Sequence, residues 1–194
     1  MTLHELLVLF SSKNIEYTTA HLDAVDQNAQ LTDVASDSRE VIPGSLFVCK
    51  GASFSPAYLT SAVEAGAAAY LCQQSLAEEL QVVAPNVAAI RVDDVRLAMA
   101  YAAAGVAGHP DKKLTTIGIT GTKGKSTCSY MLRAILDGDE PYSKCGVVGG
   151  IEVFDGKDTQ PAHNTTPEAP ELWRHLKHAA DAGLPYVDME ISSQ

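Results

Sequence analysis

A glycine- and lysine-rich run near the middle of the chain constrains its fold more than any other feature. The run reads Gly121-Thr122-Lys123-Gly124-Lys125-Ser126-Thr127. It lies between an apolar segment typical of a buried strand, residues 114–119, and a segment with helical periodicity. A glycine-rich loop that joins a strand to a helix is the setting of a phosphate-binding loop. The helix is expected to bury a stripe formed by Cys128, Met131, Leu132 and Ile135.

Each residue type in this run suits contact with a nucleotide phosphate. Glycines let backbone N–H groups approach phosphate oxygens, and the helix N-terminus adds partial positive charge. Lys125 is placed to reach the β- and γ-phosphates, and the Ser126 hydroxyl is a ligand for Mg²⁺. The longer pattern GxxxxGK[ST] is not met, because Ile119 occupies its first glycine position. The shorter GxxGKS pattern predicts ATP binding; the alternative is a glycine-rich turn with a solvated lysine.

Two polar clusters follow later in the chain. Residues 164–168, Asn-Thr-Thr-Pro-Glu, predict a helix start with Thr166 as N-cap, and they also suit a second anion-binding helix N-terminus. The predicted strand 186–191 places Asp188 and Glu190 on one face. Glu190 lies near the carboxyl end of that strand, where ligands of open α/β sheets bind. It is therefore a candidate Mg²⁺ ligand; the alternative is an exposed strand-end carboxylate.

Alternating strands and helices predict an α/β fold with two domains. The polar, breaker-rich residues 108–113 mark the boundary between them. Residues 1–109 are expected to form a small N-terminal α/β domain. Residues 110–194 are expected to form the first part of an incomplete, doubly wound, parallel-sheet domain of the P-loop type. The last strand is expected to lie at an exposed sheet edge, because no covering element follows it.

Composition excludes several classes of function. The net charge is −10, and residues 1–109 carry five basic against twelve acidic side chains, which argues against nucleic-acid or membrane-surface binding. The four cysteines show no metal-like spacing and are expected to be free thiols in a reducing cytoplasm. We expect neither a signal peptide nor a membrane-spanning segment. His175 and His178, three residues apart on a predicted helix, are interpreted as surface residues.

Taken together, the clusters resemble a known family. Residues 121–126 (GTKGKS), 164–168 (NTTPE) and 190–193 (EISS), in this order and spacing, are similar to the Mur ligases of peptidoglycan synthesis. Residues 37–39 (DSR) followed by 43–48 (PGSLFV) resemble the uridine-binding N-terminal domain of that family. The TTPE run is similar to the MurE type, the UDP-N-acetylmuramoyl-tripeptide synthetases. The resemblance covers essentially the whole chain and matches the N-terminal portion of the family.

The resemblance implies an ATP-dependent amide-bond ligase with ATP and Mg²⁺ as cofactors. ATP would phosphorylate the terminal carboxylate of UDP-MurNAc-L-Ala-D-Glu. The amine of a diamino acid, L-lysine or meso-diaminopimelate, would then displace the phosphate from the acyl phosphate. The resemblance also implies a cytoplasmic enzyme of cell wall biogenesis, acting in cell shape and division, that is a monomer when full length.

Roles for single residues follow from the resemblance as well. Residues 121–127 would hold ATP, with Lys125 on the phosphates. Ser126 and Glu190 would hold Mg²⁺, and Lys125 and Glu190 would be the catalytic residues. The residues expected to hold the nucleotide-sugar peptide are Ser38, at its uridine end, and Asn164, Thr165, Thr166 and Ser192.

Two other functions stay open: a non-catalytic module that binds nucleotides and UDP-sugars, and another P-loop enzyme such as a small kinase. The TTPE run and the uridine-type N-terminal domain argue against a kinase, which needs neither. The intact phosphate loop together with Glu190 favours a working ligase over a non-catalytic module. Because the family's central domain extends beyond Gln194, we expect these 194 residues to bind nucleotides without catalysing ligation.

Overall fold

The computed structural model describes residues 1–192, so that Ser193 of the EISS cluster lies outside the described residues. The chain divides into two compact units, Met1–Gly108 and His109–Gln194. The division falls one residue before the predicted boundary. Each unit combines helices with a mixed sheet that contains adjacent parallel strands, which confirms the α/β fold class. No helix in the described part of the chain has the length and apolar character needed to cross a membrane.

The first unit is built around one mixed sheet. Its strands are β1 (Tyr17–Ala20), β2 (Val34–Ala35), β3 (Leu46–Cys49), β4 (Ala69–Gln73) and β5 (Ala88–Val92). Its helices are α1 (Leu3–Ser12), α2 (Pro56–Glu64), α3 (Ala77–Val83) and α4 (Val95–Val106). The strand order is β1-β5-β4-β3-β2, in which β1 runs antiparallel to β5 and the other pairs are parallel.

Helix starts in this unit follow from local side-chain caps. The Ser55 hydroxyl accepts a hydrogen bond from the Ala57 amide at 3.4 Å, and proline takes the first helical position of α2. The Asp94 carboxylate accepts hydrogen bonds from the amides of Arg96 and Leu97 at 3.1 and 2.9 Å and so begins α4. Serine before proline, and aspartate, are typical helix-start residues, so both starts follow from the local sequence.

Both faces of this sheet are covered. Every residue of β3 is buried, and so are the first four residues of β4. Phe47 and Tyr70 share a core cluster with Leu59 of α2 and Leu80 of α3. On α4, which contacts β2, β4 and α1, the buried residues include Met99. Full burial of this kind is typical of parallel strands between two helical layers.

The second unit has its own sheet. Its strands are β6 (Thr115–Thr120), β7 (Cys145–Val148), β8 (Glu152–Phe154), β9 (Thr159–Pro161) and β10 (Tyr186–Ile191). Its helices are α5 (Lys125–Asp137) and α6 (Ala169–Asp181). The strand order is β6-β10-β7-β8-β9. β10 is parallel to both of its neighbours, whereas β8 and β9 form an antiparallel hairpin that the sequence analysis missed.

The prediction that the last strand lies at a sheet edge is wrong. β10 lies between β6 and β7, and β6 is the strand at that end of the sheet. Its burial matches this position, because none of the six residues of β6 is fully buried, whereas Val187, Asp188 and Glu190 of β10 are. After the β8–β9 hairpin and α6, the chain therefore returns to an interior position between β6 and β7.

The prediction of a buried apolar stripe on α5 is also wrong. Cys128 is exposed, Met131 and Ile135 are 62% and 78% exposed, and Leu132 is half-buried. The helix instead buries the polar residues Ser129 and Asp137. The Ser129 hydroxyl donates to Asp188 of β10, and the Asp137 carboxylate accepts hydrogen bonds from backbone amides at and just before the start of β7. The stripe faces away from the sheet of its own unit.

The interpretation of both histidines as surface residues is wrong for His175, which is buried. It is incomplete for His178, whose partly exposed ring also contacts Asp155. His175 is only 6% exposed, on the buried side of α6. The Nδ1 atoms of both rings lie 2.8 Å from Oδ2 of Asp155, which directly follows β8. The sequence gives no sign of this cluster, because Asp155 comes from the hairpin that was not predicted.

Candidate functional site

The glycine-rich run forms an exposed loop between β6 and α5. Gly124 has a φ of +80°, in the left-handed region that glycine adopts without steric cost, and α5 begins directly after it. The first hydrogen bond of that helix joins the Cys128 amide to the Gly124 carbonyl at 2.9 Å. The amides of residues 125–127 come before Cys128 in the chain and therefore have no i−4 acceptor within the helix. Such amides at a helix N-terminus are available to external acceptors.

The side chain of Lys125 folds back over this loop. Its Nζ atom donates a hydrogen bond to the Gly121 carbonyl oxygen at 2.9 Å. The ammonium group is thereby held against the loop, close to the start of α5, where the partial positive charge of the helix is concentrated. Thr122, Lys123 and Thr127 are exposed, and Ser126 is half-buried. An anion at this loop meets backbone amides and a cation together.

Glu190 lies on the strand beside this loop. In the β6–β10 pairing, Glu190 is opposite Ile119 and Ile191 is opposite Thr120, so both strands end at the same edge of the sheet. Glu190 is only 3% exposed, and its Oε1 atom accepts a hydrogen bond from the Gly150 amide at 3.1 Å. The alternative of an exposed strand-end carboxylate is therefore wrong.

Gly149 makes room for the Glu190 carboxylate. A Cβ atom at position 149 would lie 2.6 Å from Oε1 of Glu190, closer than real Cβ contacts allow. The two glycines that follow β7, Gly149 and Gly150, thus provide both the space and the hydrogen-bond donor for this side chain. Neither glycine was predicted as part of the site, although a Gly-Gly pair directly after a strand is a signal for close backbone approach.

Thr166 extends the hydrogen bonding of β10 and does not cap a helix. Its hydroxyl donates to the Glu190 carbonyl at 2.9 Å, accepts from the Ser192 amide at 2.9 Å and lies 3.0 Å from the Ser192 hydroxyl. The N-cap residue of α6 is Glu168. The prediction of Thr166 as N-cap is wrong, because the end of the strand takes its hydroxyl.

Thr165 joins the same edge through the glycine pair. A Cβ atom at Gly150 would lie 3.2 Å from the Thr165 hydroxyl oxygen, so the two residues are direct neighbours. Thr165 is half-buried, and Asn164 before it is exposed. The structure therefore gathers Glu190, Ser192 and the threonine pair around the carboxyl ends of the strands.

A buried pair beneath this edge was missed by the sequence analysis. The Ser129 hydroxyl donates a hydrogen bond to Oδ2 of Asp188 at 2.5 Å, linking α5 to β10. Oδ1 of Asp188 is buried without a hydrogen-bond partner. Burial raises the pKa of Asp188, the Ser129 hydrogen bond opposes that rise, and the nearby Glu190 carboxylate adds to it. The pair fixes the helix that begins at the loop to the strand that carries Glu190.

The donor atoms at this edge suit a hard divalent cation. Ser126 and Glu190 supply hydroxyl and carboxylate oxygens, the ligand types that Mg²⁺ prefers. The amides of the loop and the Lys125 ammonium suit the oxygens of a polyphosphate. The chemistry of the donor set thus fits a nucleotide with its magnesium ion.

Ser38 lies in the first unit, at a separate cavity of about 530 Å³. Its lining is mainly polar, with two cations, one carboxylate and two aromatic rings, and consists of Ser36, Asp37, Ser38, Arg39, Lys50, Ser53, Phe54, Tyr58 and Ser61. The Arg39 guanidinium donates hydrogen bonds to the Asp37 carboxylate and lowers the pKa of Asp37 to about 2. That carboxylate therefore stays ionised. The rings of Phe54 and Tyr58 meet edge to face with centroids 6.3 Å apart. Such a lining can hold a polar ring and an anionic group at once.

Comparison with known sequences identifies similar proteins. Residues 119–194 match the family model of the Mur ligase middle domain. A UDP-N-acetylmuramyl-tripeptide synthetase of Lactobacillus delbrueckii subsp. bulgaricus is 38% identical over 164 residues, which are 83% of this chain and 31% of that protein. A UDP-N-acetylmuramoyl-L-alanyl-D-glutamate–2,6-diaminopimelate ligase of Clostridioides difficile is 36% identical over 168 residues, 86% of this chain and 33% of that protein. The chain spans about a third of the length of these curated relatives.

Solved structures share the fold. A UDP-N-acetylmuramoyl-L-alanyl-D-glutamate–2,6-diaminopimelate ligase matches with a TM-score of 0.62 at 23% identity, over 90% of this chain and 36% of that one. The MurF ligase from Thermotoga maritima, solved in complex with ADP, matches with a TM-score of 0.50 at 18% identity, over 84% of this chain and 32% of that one.

Gly149→Ala is expected to lower the free energy of unfolding by about 1–3 kcal/mol, because the added methyl group displaces the buried Glu190 carboxylate from the Gly150 amide. Urea unfolding measures this cost in two backgrounds, the wild-type chain and the Glu190→Ala variant. Removal of the carboxylate removes the clash, so the same glycine substitution is expected to cost less than half as much there. Equal costs in both backgrounds would show that Gly149 does not serve Glu190.

Proposed function

Because the chain belongs to the Mur ligase family, we propose that it is the nucleotide-binding portion of an ATP-dependent ligase of peptidoglycan precursor synthesis. The proposed reaction joins a diamino acid, L-lysine or meso-diaminopimelate, to UDP-MurNAc-L-Ala-D-Glu. One observation carries the proposal: the loop between β6 and α5, Glu190 and the threonine pair all lie at the carboxyl ends of the parallel strands β6, β10 and β7. The names of relatives at 36–38% identity support the same reaction class.

In this proposal, the loop between β6 and α5 binds the polyphosphate of ATP. When bound, ATP supplies the phosphoryl group that activates the substrate carboxylate, and Mg²⁺ neutralises charge on the phosphates. Ser126 and Glu190 would hold that ion. Lys125 would contact the β- and γ-phosphates, replacing its present hydrogen bond to the Gly121 carbonyl. The ADP complex of the Thermotoga maritima MurF ligase, which shares the fold, supports nucleotide binding by this kind of chain.

The residues around β10 would position the second anion. Thr165, Thr166 and Ser192 offer hydroxyl groups beside Glu190, and Asn164 adds an exposed amide. Two anions, a carboxylate and a polyphosphate, must approach each other in such a reaction. The protein promotes this by fixing their positions and by offsetting their charge, which are large contributions to catalysis.

The cavity at Ser38 would hold the uridine end of the nucleotide-sugar peptide. The first unit is acidic overall, so an anionic ligand gains nothing from its general charge. Recognition must come from local groups, and the cavity supplies serine hydroxyls, the Lys50 cation, the Arg39–Asp37 ion pair and two aromatic rings. Ser53 and Phe54 belong to the segment 51–56 that follows β3, so this segment contributes directly to the lining.

Lys125→Ala is expected to weaken binding of ATP·Mg²⁺ at least about tenfold, because a charge-assisted contact to phosphate is worth about 1.5–3 kcal/mol. Isothermal titration calorimetry on the full-length protein measures the affinity. Lys112→Ala is the matched control, since it removes an exposed lysine of the same unit that lies outside the loop. The phosphate-loop assignment fails if both variants bind ATP·Mg²⁺ as the wild type does.

Ser38→Ala is expected to weaken binding of UDP-N-acetylmuramic acid by about two- to tenfold, the value of one neutral hydrogen bond. Chemical-shift mapping should show perturbed amides among the cavity residues of the first unit. Ser75→Ala, at an exposed site of the same unit, serves as control and should leave the affinity unchanged. Perturbations confined to residues after 109 would refute a uridine site in this unit.

A further inference from the structure

Asp155, His175 and His178 form a compact cluster that the proposed ligase site does not use. Each of the three residues offers one ligand atom, and these atoms all lie within 4.8 Å of one another. The Nδ1 atoms of both imidazoles lie 2.8 Å from Oδ2 of Asp155. The two histidines are one turn apart on α6, and Asp155 lies in the β8–β9 hairpin. The cluster therefore joins two elements that are distant in sequence.

The cluster is held rigidly and is open on one side. Asp155 and His175 are 5% and 6% exposed, whereas the His178 side chain is 42% exposed. The second carboxylate oxygen of Asp155 accepts a hydrogen bond from the Lys157 amide at 3.2 Å, which fixes the carboxyl group from behind. Leu176 and Ala179 of the same helix are buried in the core of the unit. An ion could therefore approach from the side of His178 and meet groups that are already in place.

One buried nitrogen is left without a partner in this arrangement. While Nδ1 of His175 donates to Asp155, Nε2 of the same ring is buried and makes no hydrogen bond. The nearest carboxylate oxygen, Oε1 of Glu171, is 3.8 Å from it, too far for a hydrogen bond. Such an unpaired buried polar atom costs free energy.

The other tautomer of His175 turns a nitrogen lone pair towards the cluster. With its proton on Nε2, the ring presents an Nδ1 lone pair to Asp155 and His178, while Nε2 stays 3.8 Å from Oε1 of Glu171. In histidines that bind metal ions, one nitrogen binds the ion and the other commonly donates to a carboxylate, a carbonyl or water. An ion between the three side chains would therefore satisfy Nδ1 of the buried ring, and a small movement of the partly exposed Glu171 side chain would bring its carboxylate within hydrogen-bond distance of Nε2.

We propose that Asp155, His175 and His178 bind a divalent transition-metal ion, and that this ion is Zn²⁺. Two imidazole nitrogens and one carboxylate oxygen are a ligand set that suits Zn²⁺, and imidazole disfavours Mg²⁺. Ligand atoms about 2.0–2.2 Å from a tetrahedral zinc ion lie about 3.3–3.5 Å apart, so the present 2.8 Å contacts need to open by less than about 1 Å. Water takes the fourth position on the exposed side. The ion ties the β8–β9 hairpin to α6.

Zinc titration of the tag-free, full-length protein against a chromophoric chelator tests the proposal, with Mg²⁺ in excess to occupy sites made of oxygen ligands. We expect one Zn²⁺ per chain at this cluster. His178→Ala, which changes a partly exposed side chain, should weaken that affinity at least about tenfold. Mutation of a group that only hydrogen-bonds a metal ligand already costs at least about that much. His163→Ala removes an exposed histidine of the same unit and should bind like the wild type. Absence of stoichiometric binding, or equal binding by His178→Ala, overturns the proposal.

Two further measurements separate this cluster from other zinc ligands. Cobalt bound at the cluster should show absorption typical of nitrogen and oxygen ligands. A thiolate charge-transfer band that disappears in Cys128→Ser would place the ion at that exposed cysteine and overturn the proposal. Zn²⁺ should also raise the Tm of the wild type and of His163→Ala, but not that of His178→Ala, because an ion that binds only the folded state stabilises it. An equal rise in all three proteins contradicts the assignment.

Discussion

Parallel pairing of β10 with β6 on one side and β7 on the other is the interaction on which the candidate site depends. It brings the carboxyl ends of three strands to one edge of the sheet. The glycine-rich loop 121–127 follows β6, Glu190 lies near the end of β10, and the glycine pair follows β7. None of these groups is near the others in sequence. Their proximity is a property of the sheet alone, and the Ser129–Asp188 hydrogen bond adds a link from α5 to the same central strand.

Features set by neighbouring residues could be predicted from the sequence. Ser55 and Asp94 are residue types that favour N-cap positions, and they begin α2 and α4. The GxxGKS pattern depends on spacing within a few residues, so its loop could be placed between a strand and a helix. These local signals were sufficient to assign the α/β class, and the structure confirms that class.

Features set by distant residues could not be predicted in the same way. The central position of β10 depends on pairing with a strand about seventy residues earlier in the chain, and no periodicity reveals it. The same limit explains the error at Thr166, whose hydroxyl bonds to the end of β10 instead of capping α6. On α5, apolar spacing suggested a buried face. The polar Ser129 is buried instead, because its partner Asp188 lies on the central strand.

The most direct test of this account is a crystal structure of the full-length protein with Mg²⁺ and a non-hydrolysable ATP analogue. The account predicts that the β- and γ-phosphates lie on the amides at the start of α5, with the Lys125 ammonium on their oxygens and the metal ion held by Ser126 and Glu190. Phosphates bound elsewhere, with Lys125 still bonded to the Gly121 carbonyl, would contradict it.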